Sequence, residues 1–328
     1  MSSRTVEELV SGILRGHRRD LAQAITAVEQ DELKADALLS ALPPAPGAFR
    51  LGLTGAPGVG KSTFISKVVP LLIESGEKVA VLAVDPTSPV TGGALLGDRA
   101  RMSSDMGDAG WFRSLASRGS TSGVAGCTDH AAEILARAGF GIIIIETVGV
   151  GQDEVDIARL AHTTIVVAVP GLGDDIQAMK AGILEVGDLF VVNKADRPDA
   201  DKTVGYLSNI FKRVPPGAWS PVVLKAQALH HKGIAEIWQA IEAHQSYRAS
   251  SGSAQVARAQ ANCEIELRSF LQQAVHQELS KQIDANPEML KAVKQIVSGE
   301  TDIYAVTDDI LNMLGLSGKA LGDNRNSL

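Results

Sequence analysis

The chain has 328 residues, of which 45% are apolar and 21% charged, and its formal net charge is −7. That mixture supplies a core and excludes a disordered chain, while the acidic balance argues against binding the backbone of a nucleic acid. Only Cys127 and Cys263 occur, which suits a reducing cytoplasm better than a disulfide framework.

The N-terminus is polar and mixed in charge, with no apolar signal core. All apolar runs are strand-sized, short of the ~18 residues a membrane helix needs. A cytoplasmic protein with neither membrane nor nucleic-acid partner is expected.

Val6, Leu9, Val10, Ile13, Leu14, Leu21, Ile25 and Val28 recur at helical spacing and predict one or two amphipathic helices over residues 6–30. Pro43, Pro44, Pro46 and Gly47 then break the chain, so residues 1–46 read as an N-terminal helical extension. From 47 to 247, strand-like runs alternate with helical stretches. The strand candidates are residues 50–54, 79–84, 142–146, 164–169, 189–193 and 222–224. Several are continuously apolar, as parallel strands buried on both faces are, and the alternation predicts an α/β fold with a mostly parallel sheet. A Ser/Gly-rich stretch after Tyr247 opens a C-terminal region, 248–328, helical over 256–282 and 287–314 and frayed at its end.

Gly55-Ala56-Pro57-Gly58-Val59-Gly60-Lys61-Ser62-Thr63 satisfies G-x-x-x-x-G-K-[ST], with a strand before it and a helix after it. Its glycines let backbone N–H groups curl around phosphates at a helix N-terminus. Lys61 can reach the β- and γ-phosphates, and the Ser62 hydroxyl is the expected Mg²⁺ ligand. The fold expected is therefore a P-loop NTPase domain.

Asn193-Lys194-Ala195-Asp196 follows an apolar run and so sits where such sheets bind ligands. A carboxylate at Asp196 accepts from guanine N1–H and its exocyclic amine. Adenine offers no such pair of donors and leaves the carboxylate desolvated and unpaired. Gln227-Ala228-Leu229 is placed to add a backbone N–H to the guanine carbonyl. These residues predict GTP and GDP as ligands.

Many small GTPases carry D-x-x-G after the strand that faces the phosphate loop. Here Glu146-Thr147-Val148-Gly149 keeps the glycine spacing with glutamate in place of aspartate. The Gly149 N–H is expected to meet the γ-phosphate, and Glu146 to lie near Mg²⁺ or its waters. A Gly/Pro-rich acidic loop follows the second strand, and its Asp85 and Asp98 are candidates for the metal shell or for positioning water.

Taken together, GAPGVGKST (55–63), VDPTSPVTGGALLGDRARM (84–102), ETVGVGQDE (146–154), PGLGDDIQAMKAGILEVGD (170–188) and NKAD (193–196) resemble the methylmalonyl-CoA mutase-associated GTPases, within the glutamate-for-aspartate group of P-loop GTPases. The resemblance runs from about residue 15 to 314. It implies a GTPase that chaperones an adenosylcobalamin-dependent acyl-CoA mutase, gating cofactor loading and protecting or reactivating the enzyme. No water-orienting glutamine is obvious at the switch and no arginine finger is assigned, so intrinsic turnover is expected to be slow. The resemblance also implies a homodimer joined through the C-terminal helical arm. Three nucleotide-responsive switches match residues 85–102, 146–156 and 171–182. The third carries Asp174 and Lys180, expected to act on the nucleotide when a partner orders the loop. The chain departs from the pattern at 112–123, at His162 (usually aspartate) and at Gln227 (usually serine).

Two rivals differ in what they require. A metal-delivery GTPase of the same wider group needs a His/Cys cluster, for which only His230-His231 offers a start. A small-molecule kinase using the phosphate loop leaves the N-K-A-D stretch without a purpose.

Overall fold

The computed structural model describes residues 4–30, 32–45, 47–85, 107–116, 123–147, 160–171, 184, 186–213 and 218–250, and near the C-terminus 271, 275, 281, 288–298, 300–303, 305 and 306. The chain divides into two compact units, Met1–Glu264 and Ile265–Leu328.

In the first unit a seven-stranded sheet runs in the order β3-β2-β4-β1-β5-β6-β7, with every pairing parallel. The strands are β1 (Phe49–Thr54), β2 (Val79–Asp85), β3 (Gly110–Ala116), β4 (Ile142–Thr147), β5 (Thr163–Ala168), β6 (Leu189–Val192) and β7 (Val222–Lys225). The unbroken apolar runs follow from burial on both faces. Along β4, Ile142 and Ile144 enter one core while Ile143 and Ile145 enter the other.

The first of those cores packs α4 (Lys61–Glu74) and α7 (Ile234–Ser250) on one face of the sheet. The opposite core packs α5 (Gly123–Arg137) with the N-terminal helices α1 (Val6–Leu14), α2 (Arg18–Gln30) and α3 (Glu32–Ala41). A third, small cluster seats α6 (Ala200–Ile210) through Leu207 on Val166, Phe190 and Val192. The α/β fold with N-terminal helices is thus the one that the sequence predicts.

Helix α1 starts on a capping box, Thr5 with Glu8, and the Glu7 carboxyl beside it lies below its usual range through a backbone hydrogen bond and then Thr5. Arg113 of β3 pairs with Glu29 of α2 at 2.6 Å. Arg137 donates to the Leu39 and Leu42 carbonyls, satisfying the C-terminal end of α3.

Two elements go beyond the expectation. Helix α3 occupies the stretch just before the Pro43–Pro44 break. Strand β3 lies in the stretch that departs from the family's motif, and Trp111, without any functional pattern in the sequence, is a core residue there. Its sequence, GWFRSLA, mixes polar and apolar residues because an edge strand under helices needs only part of its surface buried.

At the N-terminal edge of the sheet, His244 is 2% exposed, with Nδ1 at 2.8 Å from Thr163 Oγ1 and Nε2 at 3.4 Å from Asp188 Oδ1. Trp219 packs on its ring at a centroid distance of 4.7 Å. His162 accepts the Arg50 N–H at Nδ1, 3.1 Å away, so imidazole supplies an acceptor at a position where aspartate is usual. These histidines are structural and lie at the opposite strand ends from the phosphate loop.

The second unit contributes α8 (Glu288–Ser298), on which Val293 and Val297 are exposed.

Candidate nucleotide site

The phosphate loop leaves the C-terminal end of β1, between β4 and β5, where the chain's progress across the sheet reverses. The loop needs glycine for close approach as well as for backbone freedom. At Gly55 (φ 136°) a Cβ would overlap the Val167 carbonyl, and at Gly60 (φ 101°), the residue capping α4, it would overlap the Asn193 amide. Any side chain at these two positions would push the loop off β5 and off the N-K-A-D turn.

Lys61 opens α4 and is 6% exposed. Its ammonium donates to the carbonyls of Gly55 and, at 3.1 Å, Ala56, so the charge lies along the inner wall of the loop. A buried ammonium without such acceptors would be costly. Next to it, Ser62 Oγ donates to Glu146 Oε1 at 2.8 Å. Glu146, at the end of β4, is 1% exposed. The glutamate that replaces the usual aspartate therefore reaches the phosphate-loop serine directly.

The N-K-A-D turn clamps the phosphate loop. Asn193 Nδ2 donates to the Val59 carbonyl at 2.9 Å, and its Oδ1 accepts the Ala228 N–H at 3.0 Å. Lys194, at φ 54°, donates from Nζ to the Gly58 carbonyl at 2.7 Å. The Ala195 N–H meets the Ala226 carbonyl at 3.0 Å. A non-glycine residue at positive φ marks a backbone that its surroundings over-determine, and here Lys194 is fixed by the loop it grips. Asp196 follows, exposed and open to a ligand. The Gln227 N–H is engaged by the Lys232 carbonyl at 3.0 Å. A guanine carbonyl arriving at this turn would share the Ala228 N–H with Asn193 or take that of Leu229.

Pro57 and Thr63 lie in the loop and in the first turn of α4, and Asp85 closes β2. Asp98, Gly149, Asp174 and Lys180 lie outside the described residues. His230 and His231 are both exposed, and no cluster of three or more His, Cys, Asp or Glu side chains with metal-binding placement occurs among the described residues. Among those residues, no helix is long and apolar enough to cross a membrane. Two buried threonines escaped the sequence reading: Thr147 Oγ1 donates to Thr54 Oγ1 at 3.2 Å, directly beneath the site. Only the pairing of β1 with β4 brings them together.

The sequence pattern of the family described as methylmalonyl Co-A mutase-associated GTPase MeaB matches residues 21–288. GTPase ArgK of Escherichia coli is 37% identical over 303 residues, covering 89% of this chain and 90% of that protein. The mouse methylmalonic aciduria type A homolog, mitochondrial, is 36% identical over 272 residues, covering 76% of this chain and 65% of the relative. A solved structure described as an LAO/AO transport system kinase matches with TM-score 0.66 and 28% identity, over 96% of this chain and 99% of that one. With a phosphate loop whose serine meets Glu146 and an N-K-A-D turn gripping that loop, the chain belongs to the methylmalonyl-CoA mutase-associated GTPase family.

Proposed function

We propose that the chain hydrolyses GTP slowly by itself and acts as a chaperone of an adenosylcobalamin-dependent acyl-CoA mutase, gating cofactor loading and protecting or reactivating that enzyme. The observation that carries the hydrolytic part is the contact of Ser62 with Glu146, which joins the phosphate loop to the strand feeding the second switch. A hydroxyl and a carboxylate are hard oxygen donors, and this pair suits Mg²⁺. Ser62 would hold the ion, with Glu146 beside it and Asp98 as a further candidate; when bound, it would neutralise charge developing on the phosphates.

The chain's own residues do the rest. Loop N–H groups and the Lys61 ammonium receive the β- and γ-phosphates, the ammonium exchanging its carbonyl partners for phosphate oxygens. Asp196 takes the guanine edge. Asn193 and Lys194 hold the phosphate loop in register with the base site, so base recognition and phosphate positioning share one rigid turn. Gly149 would supply an N–H to the γ-phosphate, and Asp85 would sit in the metal shell or orient water.

The mutase partner is supported by the family match and by the five motif stretches, of which 84–102 and 146–154 are the most particular to it. On this reading Asp174 and Lys180 follow the Pro170-Gly171 hinge and bring charge to the nucleotide when the mutase orders their loop. Lys180→Ala is therefore expected to retain GDP affinity but to lose most of the stimulation of GTP hydrolysis by the mutase. Phosphate release with and without the cobalamin enzyme that co-purifies from the native cell measures this. A variant stimulated like the parent contradicts it.

A homodimer through residues 256–314 completes the proposal, supported by a helical tail with apolar positions such as Ile265, Leu267 and Phe270 and by exposed Val293 and Val297 on α8. Light scattering at micromolar concentration should give twice the chain mass of 34.4 kDa; a monomer mass contradicts it.

A further inference from the structure

The ladder between β1 and β4 ends at Leu53↔Glu146, whereas the ladder between β2 and β4 continues one step further, to Val84↔Thr147. At its last residue β4 is therefore paired through its backbone with β2 and no longer with β1. Across that gap the link is between side chains: Thr147 Oγ1 donates to Thr54 Oγ1 at 3.2 Å. Both residues are buried, Thr54 at 1% and Thr147 at 2% exposure. Thr54 immediately precedes the phosphate loop, and Thr147 immediately follows Glu146. By the alternation of side chains along a strand, the two hydroxyls lie on the sheet face opposite to Glu146 and α4.

We propose that Thr147, acting through Thr54, is a positioning residue for GTP hydrolysis. The hydroxyl bond ties the strand that launches the phosphate loop to the strand pair that launches the first two switches, and so fixes the Glu146 carboxylate against Ser62. Neither threonine touches nucleotide. Loss of the bond lets the end of β4 follow β2 rather than β1, and the carboxylate drifts from the serine while the loop and the base-reading turn stay in place. Chemistry then suffers and nucleotide binding does not. The inference rests on the role given above to Glu146.

The test compares Thr147→Val, Thr147→Ser and Thr54→Val, singly and as the Thr54→Val/Thr147→Val pair, by steady-state phosphate release, GDP titration and Mg²⁺ dependence. Thr147→Val is expected to lower kcat about tenfold and to raise the Mg²⁺ concentration for half-maximal rate, with KM for GTP and Kd for GDP within about threefold of the parent. Thr147→Ser keeps the hydroxyl and should recover kcat to within about twofold. Because both single valine variants break one bond, the double variant should be no slower than the worse of them.

A single valine leaves one hydroxyl buried without its partner; if that prevents folding, the double variant, which is apolar on both sides, gives the same kcat reading. Parental kcat in the valine variants, serine failing as valine does, or single effects that multiply in the double variant each overturn the proposal. Glu146→Gln separates the role of the carboxylate from that of the threonine link. If it hydrolyses at the parental rate, the role of Glu146 falls and this inference with it. If it is slow while Thr147→Val is parental, only the threonine link falls.

Discussion

Lys61→Ala is expected to reduce GTP hydrolysis by at least about 3 kcal/mol of barrier, on the order of a hundredfold, and to leave phosphate release near background. The reason is the place of the ammonium rather than its charge alone. It is almost fully buried, at the start of α4, and held along the inner wall of the phosphate loop by the carbonyls of Gly55 and Ala56. Once bound phosphate has replaced its carbonyl partners, a charge held in this place meets the charge developing on the transferred phosphoryl group without further reorganisation. Lys194, by contrast, reaches the loop at Gly58, from the base side. Phosphate release over time under saturating GTP measures the effect. A variant within a few-fold of the parent would mean that the loop's N–H groups alone carry the charge and that Lys61 has been given the wrong role.

Asp196→Asn should lower GTP affinity on the order of a hundredfold and move preference toward xanthine nucleotides. On the proposed function the carboxylate accepts two donors from guanine, and hydrogen bonds to a charged group are worth about 1.5–3 kcal/mol each. The amide presents one acceptor and one donor, which matches the xanthine edge instead. Asn193 and Lys194 hold the phosphate loop and the Ala228 turn, so substituting Asp196 leaves the scaffold intact. The specificity change should therefore appear without loss of the fold.

Much of this site was legible in the sequence because its chemistry needs particular residues at particular spacings. The glycines of the phosphate loop, Lys61, Ser62 and the N-K-A-D stretch are such cases, and their flanking strands read as uniform apolar runs. What the sequence did not yield depends on register or on tertiary context. The N-K-A-D stretch reads as a guanine site through Asp196; that the Asn193 and Lys194 side chains grip Val59 and Gly58 is a fact that only the adjacency of β1, β5 and β6 creates. Thr54 and Thr147 are unremarkable strand-end threonines until β4 is placed beside β1. Strand β3 was hidden because Gly110–Ala116 has neither a pure apolar run nor a clean alternation, and its position comes from pairing with β2. His244 carries no sequence pattern because its partners, Thr163 and Asp188, come from the starts of two different strands.

Guanine specificity is decided by titration calorimetry of the parent and of Asp196→Asn against GTP, GDP, ATP and XTP in the presence of Mg²⁺. The parent should bind GTP and GDP far more tightly than ATP, with Asp196→Asn shifted toward XTP. Equal affinity of the parent for ATP and GTP would contradict the account, and would favour a kinase that uses the same phosphate loop for transfer.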